Sequence, residues 1–259
     1  MDEASGPLPA TPSFRLDGRR ALVTGASRGI GQAAAIALAE AGAEVVLAAR
    51  NAAPMAATIA ALRGRGLRAE AVAMDVTDRA AARAAIDRHG PFRILVNNAG
   101  TNLREPVLEA SDEAVDAMLD LNVRAAFTVA QAVARGMVAA GQGGAIINMG
   151  SINGHIAREN ICIYTATKFA LEGMTKGMAL ELGRHGIRVN TLCPTWIETP
   201  LTRPLTTDPA FMRWALERLP IGRIGQVQDL MGAIVFLASD AAAMVTGTAL
   251  MVDGGLTTH

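Results

Sequence analysis

The chain has 259 residues, 24 basic against 24 acidic side chains, a formal net charge of zero and a pI near 6.9. Balanced charge without a basic run argues against a nucleic-acid surface, and no apolar stretch reaches the roughly 18–20 residues of a membrane span. Only nine residues are aromatic (six Phe, two Trp and one Tyr), and of the basic residues only Lys168 and Lys176 are lysines.

The N-terminal MDEASGPLPATPSF is acidic and Pro-containing, unlike a signal peptide, and reads as a loose tail over 1–15 of a cytoplasmic protein. From Arg20 onward, short Val/Ile/Leu runs alternate with Ala-rich segments of helical period, the pattern of a parallel sheet covered on both faces. Strands are expected over 21–24, 44–49, 69–74, 94–97, 145–149, 188–193 and 249–252, with helices over 30–41, 53–63, 79–88, 112–139, 164–184 and 227–238. Gly42, Gly66, Gly90 and Gly186 stand where glycines that end helices belong. The segment 195–219 carries Trp196, Pro200, Pro204, Pro209 and Trp214, interrupts the alternation after a strand, and reads as a substrate lid. No linker or repeat divides 16–259, so one α/β domain is expected.

The first strand runs into Thr24-Gly25-Ala26-Ser27-Arg28-Gly29-Ile30-Gly31 and then a helix. Glycines let a phosphate approach the backbone, and a helix N-terminus offers unpaired amides and partial positive charge, so this turn suits a pyrophosphate. The second strand ends in Arg50, where a carboxylate would hydrogen-bond an adenosine ribose. A guanidinium there, with Arg28, favours the 2′-phosphate of NADP(H) over NAD(H). Asp75-Val76 closes the third strand, where a carboxylate can accept from an adenine amino group or simply end the strand. Asn98-Ala99-Gly100 makes a small polar elbow after the fourth.

Ser151 follows the fifth strand, and Tyr164 and Lys168 are four residues apart, on one face of a helix. An ammonium beside a phenol is expected to lower its pKa from about 10 toward the working range, so that the phenol exchanges a proton with a substrate oxygen. Cys162 and Cys193 form no CxxC and read as unpaired thiols of a reducing compartment. His89, His155, His185 and His259 lack metal-ligand spacing, and no metal site is expected.

With TGASRGIG, NNAG, Ser151 and YTATK in this order, residues 16–259 resemble the short-chain dehydrogenase/reductase family. The resemblance implies a Rossmann fold of seven parallel strands, a homotetramer, and hydride transfer between nicotinamide C4 and a secondary alcohol or ketone. It implies that Tyr164 is the general acid/base, that Lys168 holds the nicotinamide ribose, that Ser151 positions the substrate oxygen and that Asn122 anchors a relay water. Asn98, Ala99 and Gly100 would line the cofactor, and Pro194, Ile197 and Thr199 would adjoin its nicotinamide. Pro194-Thr195 departs from the family's usual Pro-Gly and puts the pocket shape in question.

Arg104 and Pro106 after NNAG, TKGMA, and FLASDA ahead of VDGG look most like gluconate 5-dehydrogenases and related sugar or polyol reductases. In that reading Arg104 binds a substrate carboxylate, and Asn102, His155, Arg158 and Trp196 line the pocket. A 3-oxoacyl-[acyl-carrier-protein] reductase is the alternative enzyme, and a catalytically silent nucleotide-sensing scaffold the alternative of another class.

Overall fold

The computed structural model describes residues 8–258. Seven strands form, β1 (Arg20–Thr24), β2 (Glu44–Ala49), β3 (Ala69–Ala73), β4 (Ile94–Asn97), β5 (Gly144–Met149), β6 (Ile187–Pro194) and β7 (Ala249–Val252). They make one sheet in the order β3-β2-β1-β4-β5-β6-β7, parallel at every pairing. The central strands are apolar on both faces because helices cover both.

Alternation within a strand divides the core. Ala21 and Val23 of β1 join Val45, Leu47, Ile94 and Val96 on one face, against α1 (Gly29–Glu40), α2 (Ala56–Gly64) and α9 (Gln228–Ala238). Leu22 joins Val46, Leu95, Ile146 and Val189 on the other, against α3 (Arg79–His89), α5 (Ala126–Ala140) and α6 (Cys162–Leu182). Strand order reverses between β1 and β4, and such a switch point opens a crevice at the carboxyl ends of the strands, where open α/β sheets bind ligands.

The structure differs from expectation over 112–139 and at Gly90. The single helix expected over 112–139 is two, α4 (Asp112–Leu119) and α5, joined by a π-helical turn at Asp120–Ala125. Gly42, Gly66 and Gly186 have φ of +108°, +75° and +69°, but Gly90 ends α3 in an extended conformation. It precedes Pro91, which has no N–H with which to continue the helix.

The segment 195–219 folds into α7 (Arg203–Thr206) and α8 (Pro209–Leu216), the latter capped by Asp208. Trp196, Ala215 and Leu219 form a small apolar cluster with Ile152, Ile224 and Leu256. Of the tail expected over 1–15, residues 1–7 lie outside the described residues, as does His259. Residues 8–15 have no regular structure, Phe14 stacks near Phe236 with centroids 6.4 Å apart, and Leu16 is fully buried. Among the described residues, no helix is long and apolar enough to cross a membrane.

Candidate active site

The glycine turn is shaped by three separate steric demands. Gly25 and Gly29 have φ of +63° and +58°, conformations that strain other residues. At Gly31 a Cβ would stand 2.4 Å from the Gly25 carbonyl oxygen, so only glycine lets α1 pack this close to the turn. Arg28 caps α1 without a side-chain hydrogen bond, leaving the first-turn amides for a ligand. Ser27 is partly exposed in the turn, and Ile30 packs against the core.

Asn98 holds this turn from the side. Its Nδ2 donates to the Thr24 and Gly25 carbonyls at 2.9 and 3.2 Å, while Thr24 Oγ1 accepts from the amides of Asn98 and Ala99. The Asn98 side chain therefore braces the turn. A Cβ on Gly29 would sit 3.4 Å from Thr199, so the start of the 195–219 segment faces the glycine turn.

Arg50 is exposed at the end of β2 and, like Arg28, has no ion-pair partner among the described residues. Asp75 accepts from the hydroxyl and amide of Thr77 at 2.7 and 2.9 Å; these bonds and the Arg50 charge hold it below the usual carboxylate range. It thus ends the strand by building a turn. The side chains of Val76 and Ile197 are buried in the core, which leaves their main chain to the crevice. Pro194 ends β6 buried; next to it Thr195 Oγ1, and in the loop after β4 Asn102 Oδ1, are buried without a hydrogen-bond partner. Orphaned polar atoms at this edge fit a ligand that carries hydroxyl or amide groups.

Ser151 leaves β5 and accepts the Asn153 amide at 3.1 Å, opening a short 3₁₀ turn over Ile152–Gly154. Tyr164 and Lys168 lie on successive turns of α6. The Lys168 Nζ donates to the Met149 carbonyl at 2.7 Å and stands 5.5 Å from the centre of the Tyr164 ring. Burial pushes the Tyr164 phenol above its ordinary value of 10, and a hydrogen bond with Ser151 offsets part of that rise. Burial also draws Lys168 down to about 8, against the opposing pull of Cys193 and Glu172. The expected lowering of the phenol by the ammonium is therefore reversed, because desolvation prevails and the lysine faces the ring with a hydrogen bond directed to Met149.

Asn122 sits in the π turn, a distortion that recurs at functional sites. Its Oδ1 accepts from the Thr101 amide at 2.9 Å, and its Nδ2 donates to the Thr101 carbonyl at 2.8 Å and to Thr167 Oγ1 at 3.2 Å. Thr167 Oγ1 in turn donates to the Tyr164 carbonyl at 2.7 Å. Asn122 thereby ties the loop after β4 to the helix carrying the tyrosine.

In the loop before α6, Arg158 lies over three aromatic rings, 4.7 Å from the centre of Trp196, 4.8 Å from Trp214 and 5.9 Å from Phe211. Burial, and secondly the like charge of Arg104, draw its pKa down to about 10. Neither arginine has an acidic partner among the described residues. His155, expected in the pocket wall, turns its Nε2 toward Glu172 and Cys193, two residues that spacing in the sequence did not connect with it. Burial, reinforced by Glu172, pushes the Cys193 thiol up to about 12, so it is a neutral thiol at pH 7.

Comparison with known proteins places this geometry. A sequence profile described as Enoyl-(Acyl carrier protein) reductase matches residues 25–257. Gluconate 5-dehydrogenase of Gluconobacter oxydans is 48% identical over 94% of this chain and 96% of its own. D-erythrulose reductase of Gallus gallus is 43% identical over 94% and 98%. A solved gluconate 5-dehydrogenase from Burkholderia cenocepacia, in complex with NADP and tartrate, superposes with a TM-score of 0.92 at 47% identity, covering 95% of this chain and 98% of that one. A glycine turn at the switch point, a tyrosine and lysine one helical turn apart beside Ser151, and these likenesses over nearly the whole chain agree: the protein belongs to the short-chain dehydrogenase/reductase family of oxidoreductases.

Proposed function

We propose that this protein is an NADP(H)-preferring oxidoreductase that interconverts a ketone and a secondary alcohol on a sugar acid. The observation that carries the acid is the unneutralised pair Arg104 and Arg158, the latter over the rings of an apolar cluster that also includes Ile152, the neighbour of Ser151. Keeping a guanidinium half-buried without a carboxylate is unfavourable unless a ligand supplies the anion. Relatives named gluconate 5-dehydrogenase, one solved with NADP and tartrate, support the same reading.

The amides of Gly29, Ile30 and Gly31 would hold a pyrophosphate, with Gly25, Ser27 and Arg28 forming the turn around it. Arg28 and Arg50 would take a 2′-phosphate, Asp75 and the main chain of Val76 would adjoin the adenine, Ala99 and Gly100 would leave room for the ring system, and Lys168 would hold ribose hydroxyls. Pro194, the main chain of Ile197 and Thr199 would flank the nicotinamide, with 195–219 as the lid. When bound, the dinucleotide supplies or accepts the hydride at the carbinol carbon. Tyr164 gives its proton to the carbonyl oxygen in reduction and takes it back in oxidation, and Ser151 donates a hydrogen bond to the same oxygen. Lys168 supports the phenol, and Asn122 keeps the loop after β4 in register with α6. Trp196 forms the apolar wall under Arg158, and His155 borders the pocket.

The test is an initial-rate panel following NADPH oxidation with 5-ketogluconate, a neutral keto sugar of equal length and an acetoacetyl thioester. The keto acid is expected to show at least about tenfold higher kcat/KM than the neutral ketone, one charge-assisted hydrogen bond being worth roughly 1.5–3 kcal/mol. Equal rates on the neutral sugar would point to a polyol reductase, preference for the thioester to a 3-oxoacyl reductase, and no turnover to a silent scaffold. In the same assay Arg50→Asp is expected to raise the KM for NADPH about 10- to 100-fold and to narrow or reverse the preference over NADH, whereas unchanged selectivity would assign the 2′-phosphate to other residues.

The assembly we infer is a homotetramer. Phe127 on α5 and Phe169 and Leu180 on α6 are 45%, 49% and 86% exposed, apolar surface that a partner subunit would cover. Two unpaired cysteines, Cys162 and Cys193, support a cytoplasmic location.

A further inference from the structure

Three side chains outside the proposed catalytic set converge beneath the Ser151 turn. His155 Nε2 lies 3.4 Å from Glu172 Oε1 and 3.7 Å from Cys193 Sγ, and Cys193 Sγ lies 3.2 Å from the same Glu172 oxygen. They come from the turn after β5, the middle of α6 and the end of β6, so the fold alone assembles them. A tetrahedral zinc ion with bonds of about 2.0 Å to nitrogen and oxygen and 2.3 Å to sulfur separates its donors by about 3.3–3.6 Å. The observed separations of 3.4, 3.7 and 3.2 Å fall within about 0.1 Å of that range.

The surroundings are built as for a ligating set. Thr191 Oγ1 donates to the second oxygen of Glu172 at 2.7 Å, orienting the carboxylate and leaving Oε1 for the cluster. Glycines stand where side chains would intrude: a Cβ on Gly150 would lie 2.7 Å from Cys193 Sγ, and one on Gly154 would lie 3.2 Å from Glu172 Cγ. Glu172 and Cys193 are buried, and His155 is partly open to solvent, which gives a cation its way in.

We propose that His155, Glu172 and Cys193 form a binding site for zinc(II) under the active-site turn. Binding expels the thiol proton to solvent, Cys193–SH giving Cys193–S⁻ and H⁺, so carboxylate and thiolate together balance the dication; no redox step is involved. Three protein donors leave the fourth position to water. Glu172 lies on α6, the helix that carries Tyr164 and Lys168, and His155 directly follows the turn that Ser151 opens, so an occupied site restrains both and slows turnover.

The test adds cobalt(II) to the full-length protein after chelator treatment and follows the thiolate-to-cobalt charge-transfer band in the near ultraviolet. Zinc is then titrated as the competitor. One equivalent per chain is expected to give the band, and zinc to abolish it. Cys193→Ala, Glu172→Gln and His155→Ala are each expected to lose zinc affinity by more than tenfold. Thr191→Val, which leaves all three donors in place, is expected to lose about 10- to 100-fold and to relieve zinc inhibition at a fixed concentration. Near-ultraviolet circular dichroism checks that each variant is folded. Absence of the band in the wild-type protein overturns the site without recourse to any variant. So does zinc binding or inhibition that persists unchanged in folded Cys193→Ala or Thr191→Val.

Discussion

Tyr164→Phe is expected to lower kcat by about 10²–10⁴-fold while leaving the dissociation constant of NADPH within about threefold of wild type. The substitution removes only the hydroxyl, and the ring that packs near Lys168 is retained. Without a proton donor the developing alkoxide keeps the Ser151 hydrogen bond alone, and the residual rate measures what that bond supplies. Stopped-flow single turnovers with saturating NADPH separate the two quantities; a residual kcat above about a tenth of wild type would remove Tyr164 from the acid role. The pH profile is a companion check. A phenol raised by burial stays protonated through neutral pH, so ketone reduction at saturating cofactor is expected to hold its kcat past pH 8. Lys168, lowered to about 8, loses its charge as pH rises through that value, and the loss is expected in the KM for NADPH.

Arg158→Met is expected to lower kcat/KM for a keto sugar acid on the order of 10²-fold, about 3 kcal/mol, and to change that for a neutral ketone of equal length by less than about threefold. Methionine preserves apolar contact with Trp196 and Trp214, so what is lost is charge and the planar donor fork. Arg104→Met is expected to cost less, because Arg104 is exposed and its field is screened. The two are close enough to lower Arg158 by like charge, and their effects on the acid substrate are expected to be non-additive in a double-mutant cycle. Without ligand, thermal unfolding is expected to show Arg158→Met no less stable than wild type, since it removes a half-buried, unpaired cation. A stability loss together with equal losses on both substrates would make Arg158 a structural residue.

Most of the sheet was legible because parallel strands buried on both faces appear as unbroken apolar runs. β2, β4 and β7 begin and end where those runs do. The Tyr164–Lys168 pair was legible because it is local, one helical turn on α6. What could not be read came from elements far apart in the chain. Glu172 and Cys193 meet His155 only after α6 and β6 have packed, and nothing in their 17- and 38-residue separations from it resembles ligand spacing. The aromatic seat of Arg158 is likewise made by side chains from 196–214. The sign of the phenol shift failed for another reason: spacing reports that a lysine is near, while burial and the lysine's own hydrogen bond decide which way the proton leans.

The π turn at Asp120–Ala125 leaves no mark in the sequence because one additional residue in a turn barely disturbs an apolar periodicity carried mainly by alanine. An insertion of this kind is reversible in the genome. Loss of a single codon between Leu119 and Ala126 would let the two helices heal into one regular rod, stronger by its own hydrogen bonds. Every residue on one side of the repair would then rotate by about 100° relative to the other, and Asn122 would no longer bridge Thr101 and Thr167. Regularity of the helix and the bridge that Asn122 makes are thus alternatives at this point: a chain one residue shorter is expected to gain the first and lose the second.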